Sequence, residues 1–111
     1  MDREATQLVP GTLDMMVLQI VSVGPEHGFG IGRRLHQVSG GLFDVNQGSL
    51  YPALQRLLTE GWVMASWRQT ESGRRARYYR ITRSGLRQLA RQRAGFARQV
   101  DAVNLILAWT G

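Results

Sequence analysis

A mostly α-helical α+β fold is predicted for this 111-residue chain, with helices before and after a two-stranded β-hairpin. Three observations carry the prediction. Gly and Pro cut the chain into helix-length pieces at Pro10-Gly11, Gly24-Pro25, Gly40-Gly41 and Gly61. Within these pieces apolar residues recur at the three- and four-residue spacing of a helix face. Between the third piece and the last, two runs rich in Trp, Val, Tyr and Ile flank a polar turn, Glu71-Ser72-Gly73.

The first helix is expected over residues 12–23, with Thr12 as its N-cap and Leu13, Met16, Val17, Ile20 and Val21 on one face. Met15 and Leu18 lie on the other side, so this helix is apolar nearly all round and must be covered by more than one neighbour. A partner subunit is one source of the second covering. A second, narrower amphipathic helix is expected over 28–39. Ile31, Leu35 and Val38 make its stripe, Arg33, Arg34, His36 and Gln37 face elsewhere, and it stops at Gly40-Gly41.

Asn46 or Ser49 can cap the third helix, whose buried stripe is Leu50, Leu54, Leu57 and Leu58 and whose stop is Gly61. The opposite face holds Gly48, Ser49, Pro52, Gln55, Arg56 and Thr59, which are polar or modest in bulk. Pro52 costs little if Ser49 is the cap, because it then falls in the first turn. Tyr51 sits at the edge of the stripe, where a core-edge role and an outward contact are both open. The hairpin strands follow at 62–70 and 76–81, with Arg74, Arg75, Arg77 and Arg80 gathered on the turn and its far side. Thr82 then caps a long last helix in which positions 86, 89, 93, 96, 100, 103 and 107 read Leu, Leu, Arg, Phe, Val, Val, Leu.

Bulk composition narrows the function. A formal charge of +6 on a chain that is 43% hydrophobic indicates a folded domain with a polyanionic partner. All 14 basic residues are Arg, which suits bidentate contact with phosphate or guanine, although GC-biased coding produces the same skew. The absence of Cys removes disulfides, thiolate nucleophiles and the common structural zinc sites. Met1–Gln7 lacks the basic start of a leader, and no run is apolar enough to span a bilayer, so a cytoplasmic protein without a membrane partner is expected. No metal and no cofactor is expected. His27 and His36 lack further ligands at metal spacing and Ser49 lacks a nearby His, which argues against an enzyme.

Three helices, a basic hairpin and a terminal helix make the order of a winged helix-turn-helix, in which the third helix enters the DNA major groove and the hairpin reaches the flanking backbone. On this reading residues 1–81 form the DNA-binding unit and 82–111 a C-terminal dimerisation helix. The candidate contacts with double-stranded DNA are Gln47, Gly48, Ser49, Tyr51, Pro52, Gln55 and Arg56 on the third helix and Arg74, Arg75 and Arg77 on the wing. Arg pairs with guanine or phosphate, and Gln with adenine. The last helix would be about 39 Å long at ~1.5 Å per residue, too long to stay within a compact head, so part of its apolar stripe needs a partner. A homodimer is therefore expected, with Met15, Leu18, Leu89, Phe96, Val100, Val103 and Leu107 at the interface and an inverted-repeat operator. Met16, Phe96 and Trp109 could line an effector pocket between subunits, and the same side chains serve equally well as interface filler. The rival reading is a winged helix used for protein or RNA contact, which calls for large apolar residues on the third helix's open face.

Pro10-Gly11-Thr12-Leu13-Asp14, His27-Gly28-Phe29-Gly30-Ile31, Gly48-Ser49-Leu50-Tyr51-Pro52-Ala53-Leu54, Gly61-Trp62-Val63 and Arg77-Tyr78-Tyr79-Arg80-Ile81-Thr82-Arg83-Ser84-Gly85 occur here in one order and spacing. In this combination the chain resembles the PadR family of transcription regulators. The resemblance implies a dimeric winged-helix repressor that reads DNA with residues 48–60 and closes its wing with 76–81. It also implies dimerisation through the C-terminal helix and, in some relatives, control by small aromatic or drug-like molecules. Ala76 stands where relatives often have a second basic residue before the paired tyrosines, and Arg74 and Arg75 can replace that charge.

Overall fold

In a computed structural model, which describes residues 11–111, the elements run α1 (Thr12–Val23), β1 (Glu26–His27), α2 (Gly28–Val38), α3 (Gln47–Thr59), β2 (Val63–Gln69), β3 (Arg75–Ile81) and α4 (Arg83–Ala108). The readings of Met1–Gln7 and Pro10 lie outside the described residues. The hairpin of β2 and β3 pairs in continuous antiparallel register from Val63↔Ile81 to Gln69↔Arg75. A third strand, not expected from the sequence, joins it: Glu26 and His27 pair with Tyr79 and Tyr78, giving the order β1-β3-β2. Two residues are too few for a period of two to show in the sequence.

The caps explain where the helices begin. Gly11, at φ 86°, precedes α1 in a left-handed conformation that glycine adopts freely. Thr12, the expected cap, is instead the first helical residue and is buried. His27 caps α2: its Nδ1 accepts the Gly30 backbone N–H at 3.0 Å, while Nε2 lies 3.5 Å from Glu26 Oε2. Asn46, not Ser49, caps α3 by accepting the Ser49 N–H at 2.9 Å. Pro52 consequently falls in the second turn, where its missing N–H leaves the Gly48 carbonyl without the usual helical partner.

One core unites these pieces. Val17, Leu18 and Val21 of α1 meet Ile31 and Leu35 of α2, Leu50, Leu54 and Leu57 of α3, Val63 and Tyr79 of the sheet, and Leu89 of α4. This packing corrects two expected dimer contacts. Leu18 is 0% and Leu89 5% exposed within a single chain, so neither is available to a partner. The all-round apolarity of α1 is satisfied by its own chain, because α2 and α3 pack on it together with β3 and α4.

The start of α4 is fastened to the turn between α3 and β2. Thr82 Oγ1 accepts the Gly85 N–H at 3.0 Å and donates to the Gly61 carbonyl at 2.7 Å. Ser84 Oγ donates to the same carbonyl, and the Thr82 N–H donates to the Trp62 carbonyl at 3.0 Å. From this anchor the 26-residue helix runs about 39 Å at ~1.5 Å per residue. The described residues extend 60 Å along their longest axis.

Candidate nucleic-acid interface

With Leu50, Ala53, Leu54 and Leu57 buried, α3 presents Gln47, Gly48, Ser49, Pro52, Gln55 and Thr59 to solvent. The helix is thus held by its leucines and bare on the side that would meet base edges. Gly48 keeps that N-terminal turn slim, since a Cβ there would sit 3.2 Å from the capping Asn46 Oδ1. Tyr51 is half exposed, and its phenol fills the space a side chain at Gly28 would need. It therefore packs α3 against the start of α2, the core-edge alternative of the two left open by its position.

The wing continues this surface. Along the hairpin Val63, Ala65, Tyr79 and Ile81 face inward, so the same face carries Trp67, Arg75 and Arg77 beyond the core's edge. Tyr79 joins the two regions. Burial pushes its hydroxyl pKa above the ordinary tyrosine range, Arg77 pulls it down by charge and hydrogen bonding, and nearby Tyr51 of α3 pushes it up. Several arginines here lie against rings: Arg75 is 5.3 Å from the Trp67 centroid, Arg77 5.9 Å from Tyr79, Arg68 4.1 Å from Tyr78 and Arg33 5.5 Å from Phe29. A ring restrains a guanidinium while leaving its N–H edge available to a phosphate, which a carboxylate partner does not.

Arg56 is the exception. Its Nε and Nη2 donate to Asp14 Oδ2 and Oδ1 at 3.1 and 2.7 Å, joining α3 to the first turn of α1. The hydrogen bonds and the charge of Asp14 hold the guanidinium pKa above its usual value. A residue expected to reach DNA therefore has its fork occupied within the chain. As the Arg56 side chain is 56% exposed, though Asp14 is only 22% so, Arg56→Gln and Asp14→Asn should each cost about 1 kcal/mol of stability, and the double variant no more than the larger single loss. Thermal melts of the three variants check this, and fully additive losses would dismiss the pair.

A groove of about 370 Å³ lies between α1 and α4, lined by Met15, Met16, Gln19, Leu89, Arg93 and Phe96. Arg93 Nη1 donates to Gln19 Oε1 across it at 3.2 Å. Met16 and Phe96 of the expected effector pocket are brought together here, and Trp109 is not. It lies 13 residues farther along, about 20 Å at ~1.5 Å per residue, so within one chain it cannot line this groove. Past Leu89, Phe96, Val100, Val103 and Leu107 are exposed, as are Leu105, Ile106 and Trp109.

Arg33, Arg34 and Arg68 were not singled out from the sequence as contacts. For Arg33 and Arg34 the available signal was the single sign of charge on one side of α2, but their proximity to the wing depends on β1 pairing with β3, whereas Arg68 lies on the wing itself in β2. Among the described residues no group of three His, Cys, Asp or Glu side chains could hold a metal, and no helix is long and apolar enough to cross a membrane.

Comparison with known proteins agrees with this arrangement. Residues 17–91 match the model of the transcriptional regulator PadR-like family. A PadR family transcriptional regulator from Eggerthella lenta is 29% identical over 90% of this chain and 85% of its own, with a TM-score of 0.79. A PadR-like transcriptional regulator from Bacillus cereus is 28% identical, covering 90% of this chain and 95% of its own, at a TM-score of 0.77. A transcriptional regulator from Clostridium thermocellum shares the fold at 22% identity, 85% and 91% coverage and a TM-score of 0.78.

Proposed function

Because this chain belongs to the PadR-like family of transcriptional regulators, we propose that it is a sequence-specific repressor that binds double-stranded DNA as a homodimer. The observation that carries the reading is the bare, hydrogen-bonding face of α3 beside a wing whose arginines are opposed at its tip only by Glu71. In this reading α3 enters the major groove through Gln47, Ser49 and Gln55. Arg74, Arg75 and Arg77 contact the flanking phosphates. The family is one of transcriptional regulators rather than enzymes.

The exposed apolar stripe of α4 supports dimerisation. Val103 and Leu107 are 53% and 75% exposed at the far end of a helix whose base is fixed to the head. A second copy would cover them and place two α3 helices about 34 Å apart, one DNA turn, on an inverted repeat. Sedimentation should give the mass of two chains for the native protein and of one chain for Val103→Arg/Leu107→Arg, with helical content retained. A native monomer at ten-micromolar concentration would end the dimer reading. In the dimer the α1–α4 groove would open toward the subunit boundary. A small aromatic effector seated on Met16 and Phe96 would act by favouring one angle between the heads, because it must bind two states unequally.

The test of the main reading is fluorescence anisotropy at about 150 mM salt, with the DNA upstream of the protein's own gene and a scrambled duplex of equal length. A preference of at least a hundredfold, about 2.7 kcal/mol, is expected. Equal binding to both duplexes would reduce the interaction to generic electrostatics and return attention to a protein or RNA partner.

A further inference from the structure

Arg33, Arg68, Arg75 and Arg77 lie against aromatic rings and keep their charge, whereas Arg56 lies against a carboxylate. Among the described residues this is the one arginine–carboxylate pair, and it joins side chains 42 residues apart. Both oxygens of Asp14 accept, from Nε and Nη2, so the contact is a two-point fork with fixed geometry. The packing of α1 on α3 does not need it, because Val17, Leu18 and Val21 share one core with Leu50, Leu54 and Leu57. The Arg56 side chain is more than half exposed, so the pair closes at the rim of the interface. On α3, at about 100° per residue, Arg56 falls on the edge that carries Ser49, roughly a quarter-turn from the open face of Gln55 and Thr59. A side chain on the flank of a groove-entering helix meets the groove's wall of sugar and phosphate before it meets a base edge.

We propose that Asp14 sets the strength of DNA binding by masking Arg56 from the phosphate backbone, a role that rests on the DNA-binding reading above. Nη1 of Arg56 has no partner among the described residues, yet a guanidinium neutralised by a carboxylate at 2.7 Å has little net charge to exchange for the counterions of a phosphate. The pair therefore enters the complex as a neutral unit, and the head holds any duplex less tightly than its arginines alone would allow. Because phosphate is the acceptor withheld, the attenuation is the same for every sequence. Discrimination stays with the open face of α3.

The experiment measures DNA affinity of the full chain across a salt series, with the preferred and scrambled duplexes, for the native protein, Asp14→Asn, Arg56→Gln and the double variant. Asp14→Asn frees the guanidinium. It should raise affinity for both duplexes about fivefold at about 150 mM salt and steepen the slope of log affinity on log salt by about 0.9, the share of one phosphate contact. Arg56→Gln leaves the carboxylate bare at the rim, where it repels phosphate, so binding to both duplexes should weaken and the slope should flatten. The double variant removes both charges and should return to within about twofold of native. A mere strut between α1 and α3 would give no variant with a steeper slope, and melting curves verify that all three fold. Unchanged or weaker binding by Asp14→Asn overturns the proposal. So does a gain confined to the preferred duplex, which would make Arg56 a reader of bases, and so does a double variant as weak as Arg56→Gln, which would show Arg56 already on DNA in the native complex. Each of these leaves the DNA reading intact, whereas a native protein that binds neither duplex overturns both.

Discussion

Changing Arg74, Arg75 and Arg77 together to Gln should weaken binding to the preferred duplex roughly a hundredfold at about 150 mM salt, and lower the salt slope by about 2.7. The size follows from counterion release, since three phosphate contacts at about 0.9 each act on a salt concentration well below 1 M. Discrimination between preferred and scrambled DNA should persist, because phosphates carry no base identity. The cost in folding should be small by comparison. These side chains are exposed, and the stacking of Arg75 on Trp67 and of Arg77 on Tyr79 contributes about 0.5–1 kcal/mol each at a surface. A large affinity loss with an unchanged salt slope would mean that the wing acts by positioning α3 and not by touching phosphate.

The second large effect concerns the joint between head and helix. A Cβ on Gly85 would run into the carbonyl oxygen of Trp62 and the Ile81 side chain. Trp62 cannot withdraw easily, because that carbonyl accepts the Thr82 N–H at 3.0 Å in the network that fastens α4. Gly85→Ala should therefore destabilise the protein by about 2 kcal/mol, the overpacking cost exceeding the gain of about 1 kcal/mol in helix propensity. For a domain of this size that is a fall of about 10 °C in Tm. Gly95→Ala gives the contrast. Ten residues along the same helix, a Cβ there meets only the Arg98 guanidinium at 3.8 Å, so alanine should stabilise by up to about 1 kcal/mol. Scans at one protein concentration decide the matter, and shifts of equal sign and size would refute the steric account. Because α4 orients the heads in the proposed dimer, Gly85→Ala should also lower DNA affinity below the temperature at which it melts.

Much of this architecture is legible in local sequence. The periodicity of α1, α2, α3 and the first turns of α4, the stop at Gly61, the cap at Thr82 and the hairpin around Gly73 all rest on interactions within a few residues of one another. The outward face of α3 follows from the leucine stripe alone, because anchoring one side of a helix exposes the other.

What tertiary structure decided is where partners are distant in sequence. Whether Leu18 and Leu89 serve the core or an interface depends on what packs over them, and periodicity records only that both are apolar. Asp14 and Arg56 stand 42 residues apart, so the occupation of that guanidinium could not be read from α3. The two-residue β1, which joins the base of α2 to the wing and so brings Arg33 and Arg34 toward Arg74 and Arg75, left no local signal at all. Local sequence specifies the elements and the sign of the surface they present. The tertiary structure determined which apolar side chains are already covered and which cations are already paired, because both depend on contacts between residues far apart along the chain.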